Sequence, residues 1–175
     1  YMEGYLWDPP GAKEAFRKAA KIAHAAGRQV SISLSDAFCV DRWRDEFRHL
    51  VEAEVDVLFA NEDELISLFQ VKDFDDALQA LRGGSLIAAL TRSEQGSVVV
   101  RGEEVHVIDA APIARLVDST GAGDLYASGF LYGLTRDYDL HTCGRLGSAA
   151  AAEVIQHVGA RPDTPLDAIA AEIVG

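Results

Sequence analysis

Short apolar runs alternate along this chain with longer segments whose apolar residues recur at helical spacing. The runs at residues 55–60 and 86–90 show no alternation of apolar and polar positions, which is typical of strands covered on both faces. Residues 10–26 instead carry an apolar stripe at helical spacing and end before Gly27, a common residue just after a helix. Predicted strands lie at residues 1–7 (the end of a strand), 29–34, 55–60, 86–90, 97–100 and 105–108. Predicted helices lie at residues 10–26, 41–51, 61–69, 74–81, 123–134, 140–158 and 165–173.

This order of elements predicts an α/β fold with a mainly parallel sheet, because strands separated by helices of about ten or more residues form βαβ units. The last two strands suggest a hairpin across Arg101 and Gly102. Ligands of such sheets bind beyond the carboxyl ends of the strands, close to helix N-termini. A length of 175 residues corresponds to one domain or to one large part of a longer one. The chain opens at Tyr1 without an initiator Met, and we therefore expect it to be the interior of a longer protein.

The composition predicts a folded protein that binds neither nucleic acid nor membranes. Apolar residues make up 49% of the chain, enough to bury a core, and 28 acidic residues against 16 basic ones give a net charge of −12. A field of this sign repels nucleic acid and anionic membrane surfaces. A phosphate ligand would therefore need a local group of backbone N–H donors or a cation.

Cysteine usage and the terminal sequence indicate a cytoplasmic protein. Cys39 and Cys143 are too few and too far apart for a disulfide framework or a zinc site, and we interpret them as buried reduced thiols. No apolar run reaches the roughly 18 residues of a membrane span. The first four residues also lack the basic and apolar pattern of a signal peptide.

The run Asp-Ser-Thr-Gly-Ala-Gly-Asp at residues 118–124 is the strongest chemical motif. It opens a predicted helix, and the small residues Gly121, Ala122 and Gly123 let a ligand approach the backbone closely. Backbone N–H groups at a helix start carry the positive end of the helix dipole, which suits an anion such as a transferring phosphoryl group. Asp124 lies in the first turn, where a carboxylate can take the proton of a substrate hydroxyl.

Spacing alone leaves a second interpretation of this run open. A plain helix N-terminus, with Ser119 or Thr120 as the cap and Asp124 complementing the dipole, has the same residue types in the same order. Two other phosphate-binding fingerprints are absent. No Lys follows Gly123, as a P-loop requires, and no glycine stands at position 126, as a dinucleotide fingerprint requires.

A second motif lies between a predicted strand and a predicted helix. Asn61 is placed at the helix start and Glu64 follows three residues later, which is the arrangement of a capping box. Capping explains this spacing without any further function.

At these residues the sequence resembles the PfkB family of carbohydrate kinases, which includes ribokinase, fructokinase and adenosine kinase. The run Asp-Ser-Thr-Gly-Ala-Gly-Asp-Leu-Tyr-Ala-Ser-Gly-Phe, which starts at Asp118, is similar to the C-terminal signature of that family. The resemblance implies a ribokinase-like, three-layer α/β/α fold around a mainly parallel, Rossmann-like sheet. It also implies that Asp124 is the catalytic base and that the backbone N–H groups of Gly121, Ala122 and Gly123 form the anion hole.

The resemblance extends to residues that bind the nucleotide and its metal. Related kinases carry an Asn-x-x-Glu motif at the place of Asn61 and Glu64. It implies that Asn61 lies near the phosphates and that Glu64 organises hydrated Mg²⁺, for which one carboxylate is chemically sufficient. Thr91 and Gly96 match a Thr-x-Gly-x-x-Gly loop that lies along the nucleotide, with Ser93 in place of the first glycine.

The resemblance has two further implications, which concern the loop around Gly159 and a monovalent cation. The loop around Gly159 is expected to complete the nucleotide site. In members that a monovalent cation such as K⁺ activates, the residue at Asp118 and the carbonyl at Thr120 help to bind that ion.

The function implied is that of an ATP-dependent phosphotransferase, which moves the γ-phosphoryl group of Mg·ATP to a hydroxyl of a sugar or nucleoside. Residues 1–175 would form the nucleotide-binding and catalytic C-terminal part of one kinase domain. The N-terminal part and the lid, which supply most acceptor contacts and form homodimers in some members, would lie outside it. Residues 33–38 and the run Gly4-Tyr5-Leu6 are similar to adenosine kinases and favour a nucleoside as acceptor.

Two alternatives belong to other classes of protein. The first is a non-catalytic nucleotide-binding module, either a fragment or a regulatory relative, which would bind ATP without transferring phosphate. The second is a dinucleotide domain of an oxidoreductase, which the missing glycine fingerprint and the late position of the glycine turn disfavour.

Overall fold

The computed structural model describes all 175 residues, Tyr1–Gly175. Its strands are β1 (Met2–Glu3), β2 (Ser31–Ser33), β3 (Val57–Asn61), β4 (Ile87–Thr91), β5 (Ser97–Arg101) and β6 (Glu104–Ile108). Its helices are α1 (Ala12–Ala25), α2 (Ala37–Ala53), α3 (Glu62–Phe69), α4 (Phe74–Leu81), α5 (Ala122–Leu134), α6 (Leu140–Val154) and α7 (Leu166–Val174). None of these helices combines the length and the apolar character that a membrane crossing requires.

The six strands form one sheet in the order of the chain, from β1 to β6. Strands β1 and β2 pair in parallel, as do β2 and β3, and the register places Ile32 opposite both Met2 and Leu58. The carboxyl ends of these three strands therefore share one edge of the sheet. Strands β5 and β6 are neighbours joined by only two residues, a connection that allows antiparallel pairing alone. The predicted α/β fold with a mainly parallel sheet is confirmed.

Local side-chain chemistry fixes where several helices begin. Asp36 accepts a hydrogen bond from the Cys39 N–H at 2.6 Å, and Asp73 and Asp139 cap α4 and α6 in the same way. Asn61 caps α3 and receives a reciprocal bond from Glu64, so the predicted capping box is present. Carboxylates at these positions also complement the positive end of each helix dipole.

The structure departs furthest from the predicted elements at three places. The strand predicted at residues 1–7 keeps only Met2–Glu3 and continues as a 3-10 turn, which brings Trp7 into the core with none of its surface exposed. Helix α2 begins at Ala37 rather than at residue 41, because Asp36 caps it. Helix α6 ends at Val154 rather than at residue 158.

The chain is divided into two compact units. The first comprises Tyr1–Leu90 and Val100–Glu104, and the second comprises Thr91–Val99 and Val105–Gly175. In the first unit, Trp7 packs edge-to-face on Phe16, with ring centroids 5.0 Å apart. In the second, buried residues of α5 and α6 pack together with Leu166 of α7. The prediction that residues 1–175 form part of one kinase domain stays a prediction.

Candidate functional site

The predicted glycine turn lies in the second unit, immediately before α5. Gly121 has φ +82°, a left-handed conformation that favours glycine, and it forms the N-cap of the helix. A Cβ atom built on Gly121 would lie 2.7 Å from the Cβ of Ala160. The Ala122 N–H closes the turn by donating to the Ser119 carbonyl at 3.2 Å. Glycine is therefore required at residue 121 by the backbone conformation and by the packing of Ala160.

Two amides of this turn have no acceptor within the protein. The N–H groups of Gly121 and Gly123 make no backbone or side-chain hydrogen bond, whereas that of Ala122 is used by the turn itself. A Cβ atom built on Gly123 would meet no atom within 4 Å, and φ is not positive there. No feature of the fold requires glycine at this residue. The turn thus offers two free donors at the positive end of a helix dipole, with open space at Gly123.

Asp124 occupies the first turn of α5, one residue after Gly123, and it is exposed. The next two side chains, Leu125 and Tyr126, are buried and anchor the helix. A carboxylate in this place can receive a proton from a bound hydroxyl. The role of Asp124 as catalytic base, like the anion hole at residues 121–123, stays a prediction.

Asp118 joins the glycine turn to the loop that follows α6. One carboxylate oxygen accepts from the Thr120 N–H and the other from the Gly159 N–H, both at 2.9 Å. The bond from Gly159, followed by those from Thr120, lowers the pKa of Asp118 to about 2, so this carboxylate is ionised at neutral pH. Three residues that the sequence singled out, Asp118, Thr120 and Gly159, are therefore brought together. Ala160, which the sequence did not indicate, seats the same loop on Gly121.

The loop between β4 and β5 contains the predicted residues Thr91 and Gly96. Thr91 ends β4, and the loop closes on itself because the Arg92 N–H donates to the Gly96 carbonyl at 2.8 Å. Gly96 has φ +82°, and an added Cβ would overlap the Ile108 carbonyl oxygen. Ser93, which replaces a family glycine, adopts φ +51° and so keeps the left-handed conformation that glycine would favour.

A buried hydrogen bond connects this part of the second unit with the helix that carries Asp124. The Tyr126 hydroxyl donates to the Ser97 Oγ at 2.8 Å, and both side chains are buried. Burial raises the pKa of Tyr126 to about 12, so the phenol stays protonated and remains a donor. The strand that follows Gly96 is thereby tied to the second turn of α5.

Asn61 and Glu64 form the site predicted in the first unit. The Asn61 side chain accepts from the Glu64 N–H at 2.9 Å, while the two Glu64 carboxylate oxygens accept from the Asn61 backbone N–H at 3.0 Å and from its side-chain amide at 2.8 Å. Glu64 is only 4% exposed and belongs to no ion pair. Capping thus holds this carboxylate in one orientation.

The surroundings of Glu64 are acidic. Burial raises its pKa to about 7, the Asn61 N–H acts against this shift, and the charges of Asp36 and Asp63 add to it. Asp36 accepts a hydrogen bond from the Tyr5 hydroxyl, which keeps the pKa of Asp36 below its usual value. Tyr5 and Asp36 follow β1 and β2, as Asn61 ends β3, so all three residues lie where parallel strands end. Sequence reasoning did not include Tyr5 and Asp36 in the site, although it noted the segments that contain them.

These residues suit a divalent cation that keeps most of its water ligands, rather than one whose ligands all come from the protein. No group of three or more His, Cys, Asp or Glu side chains is arranged to hold a metal. One buried carboxylate without a cationic partner is nevertheless a fit for Mg²⁺, which keeps several of its waters and takes most of its other ligands from substrate phosphates. Glu64 therefore fits Mg²⁺ through water.

Comparisons with known proteins show which family and which solved structures the chain is similar to. The chain matches the model of the pfkB family carbohydrate kinases over residues 1–167. A cytidine kinase of Thermococcus kodakarensis is 34% identical over 138 residues, which are 76% of this chain and 49% of that protein. The crystal structure of a probable sugar kinase from Rhizobium etli is 51% identical, with a TM-score of 0.94, and covers 97% of this chain and 52% of its own.

An adenosine kinase from Sinorhizobium meliloti is similar to this chain to the same extent. Its crystal structure is 50% identical, with a TM-score of 0.94, over 97% of this chain and 52% of its own. The chain therefore spans about half the length of the relatives that it matches. These similarities confirm the predicted family resemblance and the predicted ribokinase-like fold.

Proposed function

Because the chain belongs to the pfkB family of carbohydrate kinases, we propose that it forms the nucleotide-binding and catalytic half of a kinase. The kinase transfers the γ-phosphoryl group of ATP to a hydroxyl of a nucleoside or sugar. The observation that carries this proposal is the start of α5, where the exposed Asp124 directly follows a turn with two free N–H donors. A phosphoryl group and the hydroxyl that attacks it need these two functions side by side.

In this mechanism Asp124 accepts the proton of the acceptor hydroxyl as its oxygen forms a bond to the γ-phosphorus. The bond from that phosphorus to the bridging oxygen breaks, and ADP leaves. The amides of Gly121 and Gly123 bind the phosphoryl oxygens throughout, and Asp118 holds the Gly159 loop against the same turn. Positioning and electrostatic stabilisation supply most of the catalysis, since phosphoryl transfer asks for little covalent help.

We further propose that Glu64 holds Mg²⁺ through water and that Asn61 lies near the phosphates. Mg²⁺ neutralises phosphate charge when it is bound. The capping box keeps the Glu64 carboxylate in place before any ligand arrives. Thr91 and Gly96 are proposed to line the nucleotide. The ionised Asp118 carboxylate and the Thr120 carbonyl are proposed to hold a monovalent cation, and turnover in KCl compared with NaCl tests that assignment.

A nucleoside is the acceptor that we propose first. The similar proteins include a cytidine kinase and an adenosine kinase, the latter at 50% identity. The sugar kinase at 51% identity makes sugars the second class to test. An acceptor panel of adenosine, cytidine, ribose and fructose, with ADP release as the readout, separates these classes.

The decisive experiment compares the wild-type protein with Asp124→Asn. The amide cannot take a proton, so transfer is expected to fall by about 10² or more, the usual contribution of a general base. Affinity for Mg·ATP, measured by calorimetry, is expected to stay within severalfold. Near-normal turnover of the variant contradicts the assignment of the base. Tight binding of Mg·ATP by the wild type without transfer to any acceptor would instead identify a non-catalytic nucleotide-binding module.

A further inference from the structure

The loop that follows α6 is held by carboxylates rather than by its own backbone. No backbone–backbone hydrogen bond is donated by the amides of residues 157–164. Three of these amides instead donate to side chains: Gly159 to Asp118, and Asp163 and Thr164 to Glu153. Val158, at the start of the loop, is 83% exposed, so apolar burial does little to fix this segment.

Glu153 binds both ends of this loop. One of its oxygens accepts from the Asp163 N–H at 3.0 Å and from the Thr164 N–H at 2.7 Å, and the other lies 3.3 Å from the His157 Nε2. The His157 Nδ1 in turn lies 3.9 Å from an Asp163 carboxylate oxygen. A single side chain thus joins the residues where the loop leaves α6 and where it returns.

The position of Glu153 is unfavourable for an acid unless it is compensated. Glu153 lies in the last turn of α6, where the negative end of the helix dipole opposes a carboxylate, and its side chain is only 10% exposed. Burial alone would raise its pKa, but the hydrogen bonds from Thr164 and His157 keep the pKa below its usual value. The contacts with the loop are therefore what stabilise the charge, and the charge in turn holds the loop.

The held loop touches the glycine turn at two points. The Gly159 N–H donates to Asp118, and Ala160 packs against Gly121 so closely that a Cβ on Gly121 would lie 2.7 Å from its own. We propose that Glu153 is a positioning residue, which fixes the Gly159 loop against the turn at residues 121–123 and thereby sets the affinity for the phosphates of ATP. This inference rests on the proposed function, and nothing in the sequence motifs points to Glu153.

Hydrogen exchange of the ligand-free protein tests the positioning step independently of any nucleotide. In Glu153→Ala, the amides of Asp163, Thr164 and Gly159 are expected to exchange about tenfold faster or more, while the amides of α5 keep their protection. Glu172→Ala is the matched control, because Glu172 is an exposed acid on α7 whose side chain makes no hydrogen bond or ion pair. Unchanged exchange at Asp163 and Thr164 in Glu153→Ala overturns the proposal.

Calorimetry and kinetics then test the functional step. The dissociation constant and the KM for Mg·ATP are expected to rise about tenfold in Glu153→Ala, as when the binding-competent loop falls to about one tenth of the population. Turnover at saturating ATP is expected to stay within about threefold, because bound nucleotide restores the loop. Equal losses in kcat and in kcat/KM would instead indicate an interaction made only in the transition state or a loss of active protein, and either would reject the positioning role.

The more conservative Glu153→Gln keeps the test open should the alanine variant fail to fold. Its neutral oxygen is a weaker acceptor, so exchange at Asp163 and Thr164 should lie between that of the wild type and that of a free loop. Wild-type exchange in this variant rejects the proposal. If the wild-type protein binds no Mg·ATP, the proposed function is wrong. The hydrogen-exchange data still decide whether Glu153 holds the loop.

Discussion

Replacing Gly123 by alanine separates the ligand-binding role of the glycine turn from its structural role. Gly123 lies in the first turn of α5 without positive φ, and the added Cβ would meet no atom within 4 Å. The fold therefore accepts alanine here. A methyl group in this place would nevertheless stand beside the free N–H groups that we propose for the phosphoryl oxygens.

The expected effects of this substitution have opposite signs. Alanine is more favourable than glycine inside a helix by about 0.5–1 kcal/mol, so the Tm should rise by about 1–4 °C. Loss of one hydrogen bond to a charged phosphoryl oxygen costs about 1.5–3 kcal/mol, so affinity for Mg·ATP should fall by about 10- to 150-fold. A more stable protein that binds its ligand less well is the signature of a residue kept for binding.

Gly121→Ala is the matched comparison two residues away. Left-handed backbone costs a non-glycine residue about 1–2 kcal/mol, and the contact at 2.7 Å forces Ala160 to move as well. This variant should lose several degrees of Tm together with affinity. Scanning fluorimetry and calorimetry with Mg·ATP measure both quantities in both variants. The assignment of the anion site is refuted by a Gly123→Ala protein that is stabilised and still binds Mg·ATP as the wild type does.

Three further substitutions test the surroundings of the site. Glu64 has a pKa of about 7 in the folded protein against 4.5 for the free group, so between pH 4.5 and pH 7 the folded state binds a proton that the unfolded state has lost. As the pH rises through this range, the free energy of unfolding falls by up to about 3 kcal/mol. The difference in unfolding free energy between wild type and Glu64→Gln should therefore fall from pH 5 to pH 8, and parallel urea profiles would contradict this. Ser93→Gly removes the cost of about 1–2 kcal/mol for a left-handed serine but adds about 0.5–1 kcal/mol of chain entropy to the unfolded state. The net effect expected in urea unfolding is a stabilisation of about 0.5–1 kcal/mol. Tyr126→Phe leaves the buried Ser97 hydroxyl unpaired and should cost about 1–3 kcal/mol, most of which the double variant with Ser97→Ala restores.

Elements whose signals are local could be predicted from the sequence. Helix α4 has the predicted bounds because Asp73 caps it, and α3 follows its capping Asn61 directly. Helix α2 was placed four residues too late, since its cap, Asp36, follows a left-handed Ser35 that the sequence does not reveal. Local capping chemistry thus predicts the starts of α3 and α4, whereas the start of α2 also depends on a backbone conformation at Ser35 that its residue type does not indicate.

The sequence indicates which residues form the candidate site, but not why each of them is needed. Gly121 and Gly123 are equivalent in the motif, yet only the first is required by the fold, and the difference comes from Ala160, which lies some forty positions further along the chain. Burial of Glu64 and the acidic neighbours that follow β1 and β2 are likewise products of strand register. Glu153 gives no local signal at all, because an acid in the last turn of a helix looks unfavourable until the loop returns to it.

The net charge of −12 repels a polyanionic ligand at long range, whereas the phosphate site that we propose depends on donors close to it. Some of the chain's carboxylates accept hydrogen bonds from backbone amides. Asp118 and Glu153 each accept from two backbone N–H groups and thereby order the loops that carry them. The amides of Gly121 and Gly123 are left free, at the positive end of the α5 dipole. Because a phosphoryl oxygen at this turn would interact first with these donors, the local field rather than the net charge decides which ligand binds. Acidic residues would therefore contribute to the proposed anion site by holding the backbone that forms it.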